Sequence, residues 1–247
     1  MTADAPLLEL AGVHTHIGAY HILHGVDLAV PEGGVSVLLG RNGAGKTTCL
    51  RTVMGLWRAS RGKVRFGGTA LHELDTAAIA RSGIAYVPEN MGIFGDLTVR
   101  ENLLLAARGA RRIDDVDTAR LEWIFGFFPA LRKFWSYPAG KLSGGQKQML
   151  AIARAIVEPR RLLLVDEPTK GLAPSIVANL AAAFAELAAA RTTVLLVEQN
   201  FAFASRLGDT VSVMDDGRVV HRGPMAELRE DAALQDRLLG LGAGAPH

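Results

Sequence analysis

A glycine-rich stretch with a single lysine lies between two apolar segments close to residue 40. Its residues Gly40, Gly43, Gly45, Lys46 and Thr47 fit the pattern G-x-x-x-x-G-K-[ST]. The stretch follows the strand-like sequence VSVLL and opens a helical pattern, which is the setting in which this motif binds phosphate. Glycines without side chains let successive backbone N–H groups converge on one anion. The stretch therefore predicts a nucleotide-phosphate site.

The predicted phosphate contacts come from one continuous segment: Asn42, Gly43, Ala44, Gly45, Lys46, Thr47 and Thr48. Gly40 and Gly43 are expected to provide positive φ and close approach, and the helix that begins near Gly45 adds the partial positive charge of its N-terminus. Lys46 is expected to reach the β- and γ-phosphate oxygens, and the Thr47 hydroxyl to ligate Mg²⁺.

Two adjacent carboxylates follow an apolar run in the sequence RLLLVDEPT. Asp166 is placed at the carboxyl end of a predicted buried strand, where Mg²⁺ held by Thr47 would lie. Glu167 points differently, because adjacent strand residues alternate faces. The pair therefore allows one carboxylate to hold the metal while its neighbour orients water.

A second anion-binding pattern occurs in the sequence KLSGGQKQMLAIARAI, residues 141–156, with Ser143 lying 23 residues before Asp166. A serine and two glycines open a long amphipathic helix there, and the N-terminus of a helix presents free N–H groups to an anion. One domain rarely needs two phosphate-binding helix starts. The second one is therefore interpreted as closing on a nucleotide held by another copy.

Strand and helix patterns alternate around these motifs. Strands are predicted at 7–13, 22–30, 35–39, 63–66, 84–88, 161–165, 193–197, 210–214 and 218–222, and helices at 45–54, 76–81, 174–190 and 201–207. Residues 98–155 show apolar residues at helical spacing throughout, a turn is expected at Arg61–Gly62, and the tail GLGAGAPH is expected to be unstructured. The alternation predicts an α/β fold with a parallel sheet covered on both faces and an inserted helical lobe.

The composition limits where the chain works. Its 247 residues carry a net charge of +2, and 49% are hydrophobic, yet no run is long and apolar enough to predict a membrane span. The first residues, MTADAPLLEL, lack the basic flank of a secretory signal, and the single cysteine, Cys49, is expected to be a buried apolar residue. The sequence therefore favours a cytosolic protein.

The basic stretches and a group of histidines each allow a functional and a structural interpretation. The basic stretches at 58–65 and 108–112 could be nucleic-acid patches, but they lack interleaved aromatic residues and are interpreted as solvated loops. His14, His16, His21 and His24 could form a metal site. Since no cysteine or carboxylate lies at ligand spacing, the sequence does not favour that reading.

Together, the motifs GRNGAGKTT, LSGGQ and LLLVDEP resemble those of the nucleotide-binding subunits of ATP-binding-cassette (ABC) transporters, over essentially the whole chain. The resemblance implies a P-loop NTPase of the ABC type: a RecA-like parallel-sheet core with an antiparallel β portion and an inserted helical lobe. It implies one domain over 1–247, with the ATP-binding core at 1–89 and 158–247 and the lobe at 90–157. The lobe would dock on membrane-spanning partners, and two cassettes would sandwich two ATP molecules.

The resemblance also implies roles for individual residues. Ser143, Gly144, Gly145 and Gln146 would contact the γ-phosphate of ATP held by the opposing chain. Asp166 would be associated with Mg²⁺, and Glu167 would be the catalytic general base.

This chain departs from the family pattern at three places. Glu89 replaces the usual glutamine of the loop that joins the two lobes, and Gln199 replaces the usual switch histidine. Gln199 can donate a hydrogen bond to the γ-phosphate but cannot become a cation. Ile17 occupies the place of the tyrosine that stacks on adenine, with Tyr20 as the alternative contact.

The sequences VPE, LTVRENL, DEPTKGLAP and LLVEQN resemble the subgroup that energises branched-chain amino acid uptake. That resemblance implies an ATPase subunit at the cytoplasmic face of a bacterial membrane, bound to permease subunits and to an identical or related cassette. A substrate-binding protein would be an indirect partner, and no nucleic acid is expected. Uptake of urea or amides and lipid export remain alternatives. A non-transport cassette protein acting on nucleic acid or ribosomes is a third alternative, but such proteins typically carry two cassettes in one chain or long coiled coils, and the sequence predicts neither.

Overall fold

The computed structural model describes residues 5–107 and 109–240. The strands are β1 (Leu8–Ile17), β2 (Tyr20–Val30), β3 (Val35–Gly40), β4 (Ala59–Phe66), β5 (Thr69–Ala70), β6 (Ile84–Val87), β7 (Leu162–Asp166), β8 (Thr193–Glu198), β9 (Thr210–Asp215) and β10 (Arg218–Pro224). The helices are α1 (Lys46–Val53), α2 (Thr76–Arg81), α3 (Val99–Ala106), α4 (Thr118–Phe127), α5 (Pro129–Lys133), α6 (Gly144–Ile156), α7 (Pro174–Ala189), α8 (Phe201–Leu207), α9 (Met225–Glu230) and α10 (Ala232–Leu239), with 3-10 turns at Ile113–Asp115 and Ala139–Lys141.

A six-stranded sheet forms the centre of the molecule, in the order β10-β9-β3-β8-β7-β6. Its strands are parallel except for β10, which pairs antiparallel with β9. Every residue of β3, β7 and β8 is buried, which explains why these strands read as continuous apolar runs rather than alternating ones. The predicted α/β fold with a parallel core is confirmed.

The two faces of this sheet bury different partners. Val37, Leu163 and Leu196 pack on one face in a cluster that includes residues of α3 to α9. Leu38 and Leu164 point to the opposite face, against α1, α2 and the second sheet, because side chains alternate along each strand. The sheet is therefore covered on both sides, as the alternating sequence pattern predicts.

The second sheet has four strands in the order β2-β1-β4-β5, all antiparallel. The expected turn at Arg61–Gly62 is wrong, because both residues lie inside β4. Gly62 has φ +87°, and a Cβ there would lie 2.3 Å from the carbonyl oxygen of Gly12, which has φ +55°. The two glycines face each other at a register shift between β1 and β4, so they mark a β-bulge instead of a chain reversal.

The helical pattern at 98–155 resolves into four α-helices, α3 to α6, separated by turns. Thr98 caps α3 in a capping box with Glu101. Asn102 is fully buried, and its side chain binds the backbone N–H and carbonyl of Phe94, both at 2.9 Å. This amide ties the segment that follows β6 to the first helix of the group.

Two short helices, α9 and α10, lie beyond the last predicted strand and were not expected from the sequence. Of the tail GLGAGAPH only Gly240 is described; residues 241–247, like Arg108 of the second basic stretch and residues 1–4, lie outside the described residues. Cys49 is buried and unpaired, as predicted, and burial raises its pKa to about 12. Within the described ranges, no helix is long and apolar enough to cross a bilayer.

Candidate active site

The glycine-rich loop connects the carboxyl end of β3 to the first residue of α1. Gly43 and Gly45 have φ of +81° and +102°, in the left-handed region that glycine adopts without strain. The expectation of a positive φ at Gly40 is wrong. A side chain there is excluded instead by close approach, because a Cβ would lie 2.4 Å from the Met214 carbonyl oxygen of β9.

A cavity of about 330 Å³ opens above this loop. It brings together residues that are far apart in sequence: Ile22, Asn42, Gly43, Gly45, Lys46, Thr47, Thr48, Glu89, Glu167 and Lys170. Ala44 differs from its neighbours, because its side chain packs in the core and is only 5% exposed. Its contribution to a bound phosphate is therefore limited to its backbone.

Lys46 is a buried cation held by the loop that precedes it. Its Nζ donates to the carbonyl oxygens of Gly40 at 2.8 Å and Arg41 at 3.0 Å. The same atom lies 3.0 Å from Oε1 of Glu167. The predicted phosphate ligand and the predicted general base are therefore direct neighbours.

Asp166 lies at the end of β7 and is fully buried. The Thr47 hydroxyl donates to its Oδ1 at 3.1 Å, and the Tyr86 hydroxyl to its Oδ2 at 3.2 Å. Burial raises the pKa of Asp166, the two hydroxyl hydrogen bonds oppose this effect, and the charges of Glu167 and Glu89 raise it further.

No lysine, arginine or histidine within the described ranges forms an ion pair with Asp166. A buried carboxylate without a cationic partner, next to a threonine hydroxyl, has the donor set and the unmet charge that fit Mg²⁺. Tyr86 was missed by sequence reasoning. Its only signal is a tyrosine at the end of β6, next to β7 in the sheet.

Glu167 has an unusual backbone for a residue with a side chain. Its φ is +45°, a region that costs on the order of 1–3 kcal/mol for such residues and is found at functional sites. Its N–H donates to the Val197 carbonyl at 2.9 Å, and the Gln199 side-chain amide lies 2.8 and 2.9 Å from its two carboxylate oxygens. Gln199 also donates to the Asn42 side chain. The predicted switch residue therefore touches the predicted base directly.

Glu89 lines the same cavity and pairs with a lysine that the sequence did not single out. Lys170 Nζ lies 2.6 Å from Oε1 of Glu89 and 3.8 Å from Oε2 of Glu167. The hydrogen bond to Glu89 and its charge raise the pKa of Lys170. Lys170 and Lys46 thus supply two cations to the carboxylates around the cavity.

The segment Ser143–Gln146 forms the start of α6 and lies outside this cavity. Ser143 is the N-cap residue and forms a capping box with Gln146, in which Ser143 N–H donates to Gln146 Oε1 at 2.9 Å. Gly145 packs closely, since a Cβ there would lie 2.9 Å from the Ile176 side chain. Among the residues that the structure describes, none of Ser143, Gly144, Gly145 and Gln146 lines the phosphate cavity.

The expected adenine contacts lie in the hairpin formed by β1 and β2. Ile17 pairs with Tyr20 across the hairpin, and the Tyr20 side chain is 76% exposed. Ile22, which was not predicted, lines the phosphate cavity. The adenine contact of Ile17 stays a prediction, and Ile22 joins it as an apolar candidate.

The four histidines of β1 and β2 lie together on one face of the second sheet. His21 stacks on His16 with 4.2 Å between ring centroids and contacts His24 at 4.1 Å, and the His14 and His21 rings are 3.0 Å apart between Nδ1 and Nε2. In the described part of the chain, no set of three or more His, Cys, Asp or Glu side chains is arranged to hold a metal ion.

Comparisons with known proteins identify the family and the fold. The family model described as "ABC transporter" matches residues 23–170. The chain is 38% identical over 235 residues to the high-affinity branched-chain amino acid transport ATP-binding protein BraG of Pseudomonas aeruginosa, covering 95% of this chain and 100% of BraG. It is 35% identical over 222 residues to the probable branched-chain amino acid transport ATP-binding protein LivF of Archaeoglobus fulgidus, covering 90% and 93%. A solved dimeric bacterial ABC transporter cassette is similar in fold, with a TM-score of 0.79 at 24% identity over 88% of this chain and 98% of that one.

Proposed function

The chain belongs to the ABC transporter family, as an ATP-hydrolysing subunit, and we propose that it powers an importer of branched-chain amino acids. The observation that carries its chemistry is the cavity in which Lys46, Thr47 and Glu167 converge. The cargo is inferred from the relatives, since BraG and LivF are both named for branched-chain amino acid transport.

In this proposal the glycine-rich loop and Lys46 bind the β- and γ-phosphates. Backbone N–H groups of the loop and the N-terminus of α1 supply fixed positive dipoles. Lys46 exchanges its contacts with Glu167 and with the loop carbonyls for phosphate oxygens. Glu167, once released, accepts a proton from the attacking water or orients it, and the Gln199 amide holds its carboxylate.

Thr47 and Asp166 would hold Mg²⁺, and the buried, cation-free carboxylate of Asp166 supports this assignment. When bound, the ion neutralises charge on the phosphates and helps to orient them. The Tyr86 hydroxyl keeps the second oxygen of Asp166 occupied. This hydrogen bond leaves Oδ1, the atom next to Thr47, as the oxygen that faces the loop.

The position of the signature segment supports a partner cassette. Ser143 to Gln146 form an exposed or half-exposed helix start outside the phosphate cavity of their own chain. A second cassette, identical or related, would place its own segment over this cavity. The γ-phosphate would then be contacted by two chains, and ATP would act as the ligand of the closed pair.

A separate groove supports docking on permease subunits. A cavity of about 760 Å³ lies between α1, α3 and α6, and its rim carries the exposed apolar side chains Leu56 and Leu105, which are 50% and 59% exposed. Trp57 and Arg154 also line it. The groove is lined mainly by apolar residues together with Arg51, Arg154 and Arg160. A groove of this size fits a short amphipathic helix of a membrane-spanning subunit, and such docking would place the chain at the cytoplasmic face of the membrane.

The docking proposal is tested by fractionating cells of the native host. The parent protein is expected in the membrane fraction, and Leu105→Glu in the supernatant, because a carboxylate at the rim would be desolvated on docking. Val220→Glu is the matched control, since Val220 is similarly exposed at 52% and lies on β10. Equal distribution of the parent and both variants would contradict docking through this groove.

The cargo is tested by uptake in cells that carry Lys46→Ala in place of the parent gene. Uptake of labelled leucine is expected to fall to background, whereas uptake of labelled urea stays at the parental level. Loss of urea uptake with normal leucine uptake would instead favour the amide-transport alternative. If both remain normal while lipid export fails, the importer proposal is wrong.

A further inference from the structure

Glu198 is a buried carboxylate that the proposed chemistry leaves without a role. It is the last residue of β8 and only 2% exposed. In the part of the chain that the structure describes, no cationic side chain pairs with it. A charge in this position requires some other stabilisation.

Four hydrogen bonds from two different loops supply that stabilisation. Oε1 accepts from the Thr169 hydroxyl at 2.7 Å and from the Thr169 N–H at 3.2 Å. Oε2 accepts from the N–H groups of Gln199 at 3.0 Å and Asn200 at 3.1 Å. Each oxygen therefore serves one loop, and the carboxylate joins the loop after β7 to the loop after β8.

These two loops carry Glu167, which lines the phosphate cavity, and Gln199, whose side-chain amide contacts the Glu167 carboxylate. Glu167 lies two residues before Thr169, and Gln199 follows Glu198 directly. Backbone pairing between β7 and β8 extends to Asp166 and Val197, and the Glu167 N–H donates to the Val197 carbonyl at 2.9 Å. Beyond this pairing, the Glu198 hydrogen bonds hold the two loops together, and the contact between the Gln199 amide and the Glu167 carboxylate depends on them.

We propose that Glu198 is a positioning residue for ATP hydrolysis. Glu198 joins the loop of Thr169 to the loop of Gln199, and the Gln199 amide thereby holds Glu167 in one orientation. The inference rests on the proposed role of Glu167 as the base. Glu198 is not among the residues that line the phosphate cavity. Its effect on the reaction passes entirely through Gln199 and Glu167.

The link between the two loops requires a carboxylate. An ionised carboxylate only accepts hydrogen bonds and has about four acceptor sites, which matches four converging donors. A glutamine of the same size would turn an NH₂ group toward two of them and leave those donors unpaired. Burial raises the pKa of Glu198, and the hydrogen bonds from Thr169, Asn200 and Gln199 act against this effect.

The direct test is Glu198→Gln in the full chain. The kcat for ATP hydrolysis is expected to fall about 10- to 100-fold, because a small misplacement of a catalytic group can slow a reaction by up to about 100-fold. The KM for ATP is expected to change less than about twofold, because the phosphate loop is untouched. Glu186→Gln on α7 is the matched control, since Glu186 is exposed, and it is expected to leave both constants unchanged.

A double variant separates positioning from general destabilisation. In a Glu167→Gln background the base is already absent, so Glu198→Gln is expected to lower the residual single-turnover rate less than twofold. A loss of the same size in both backgrounds, or a KM that rises in step with the fall in kcat, would overturn the proposal. If Glu167→Gln itself retains the parental rate, the proposed role of Glu167 fails, whatever Glu198→Gln does.

An NMR measurement tests the link that Glu198 forms between the two loops even if Glu167 is not the base. The side-chain NH₂ resonances of Gln199, assigned by their absence in Gln199→Ala, are expected to shift in Glu198→Gln and to stay fixed in Glu186→Gln. Unchanged resonances would contradict this link. If Glu198→Gln does not fold, Thr169→Val replaces it, because this change removes only the hydroxyl donor. The Gln199 resonances are then expected to shift and kcat to fall, but by less than in Glu198→Gln. Parental resonances and a parental kcat in Thr169→Val would overturn the proposal.

Discussion

Lys46 and Glu167 form a buried ion pair, with 3.0 Å between Nζ and Oε1 and side-chain exposures of 4% and 8%. The two residues come from different elements, since Lys46 begins α1 and Glu167 follows β7. The cation that is expected to bind phosphate therefore also neutralises the expected base. In the proposed function, nucleotide binding and activation of the base would be coupled by this exchange of partners.

Replacing Lys46 by alanine is expected to abolish this exchange. ATP affinity should fall at least about 10- to 100-fold, because hydrogen bonds from a charged donor contribute roughly 1.5–3 kcal/mol each, and hydrolysis should become undetectable. Binding is measured by calorimetry and hydrolysis by phosphate release. Lys63→Ala, at an exposed position on β4, is expected to behave like the parent. Parental hydrolysis by Lys46→Ala would remove the glycine-rich loop from the site.

The pKa of Asp166 leads to a prediction about stability. Because burial raises this pKa above its ordinary value of 3.8, protonation favours the folded state. The stabilising contribution is fully present below pH 3.8 and is lost as the pH rises through the folded-state pKa. Asp166→Asn lacks the titrating charge. The Tm of Asp166→Asn minus the Tm of the parent is therefore expected to increase as the pH is raised from 4 to 7.5.

The measurement is thermal unfolding across this pH range, with Asp96→Asn as the control at an exposed position. The Tm difference between that control and the parent should stay constant with pH. With ATP present, Mg²⁺ is expected to raise the Tm of the parent and to have little effect on Asp166→Asn, because the ion loses its carboxylate ligand. Equal Mg²⁺ effects on both proteins would argue against Asp166 as a metal ligand.

Gln199 leads to a prediction about the pH dependence of hydrolysis. Its amide donates to Glu167 but does not titrate, so the pH profile of the parent is expected to lack an ionisation from this position. Gln199→His keeps a ring N–H donor and is expected to retain activity within about tenfold, with a new ionisation near pH 6.5 in the kcat profile. Gln199→Ala, which has no donor, is the control for the loss of the contact. An unchanged profile in an active Gln199→His would place residue 199 away from the reaction.

Part of this structure could be predicted from the sequence because the signals are local. VSVLL, LLLV and TVLLV identify buried parallel strands, and a strand followed by GRNGAGKTT identifies the phosphate loop. Asp166 stands out because a carboxylate ends an apolar strand. Glu198 carries the same signal at the end of β8 and could have been found by the same rule.

The remaining site residues are brought in by tertiary contacts that leave no local signal. Lys170 matters because it meets Glu89, 81 positions away, and Tyr86 because it meets Asp166, 80 positions away. The turn wrongly expected at Arg61–Gly62 has the same origin. Glycine is typical of turns, but here Gly62 is required by the backbone of Gly12 on the neighbouring strand, which only the pairing of the strands reveals.

Replacing Glu167 by glutamine tests how hydrolysis and assembly are connected. Glutamine preserves size and hydrogen bonding but cannot accept the proton, so hydrolysis should slow by about 100- to 10,000-fold, the usual range for loss of a general base. ATP binding should survive, because the phosphate loop, Lys46 and Asp166 are intact. Removing the carboxylate also frees Lys46 from its ion pair, and ATP affinity is therefore expected to rise, in contrast to Lys46→Ala.

With hydrolysis blocked, ATP remains between the loop of one chain and Ser143 of the other and acts as a ligand of the closed pair alone. Mass action then shifts the population toward the dimer, so sizing chromatography of Glu167→Gln should show a dimer with ATP and a monomer without it. Ser143→Arg in the same background is the control, since a bulky cation at the start of α6 should prevent closure while ATP still binds. A monomer under saturating ATP would mean that the partner is a different cassette, which mixing with that subunit would reveal, or that the signature segment has another role. Hydrolysis at the parental rate would remove Glu167 from catalysis.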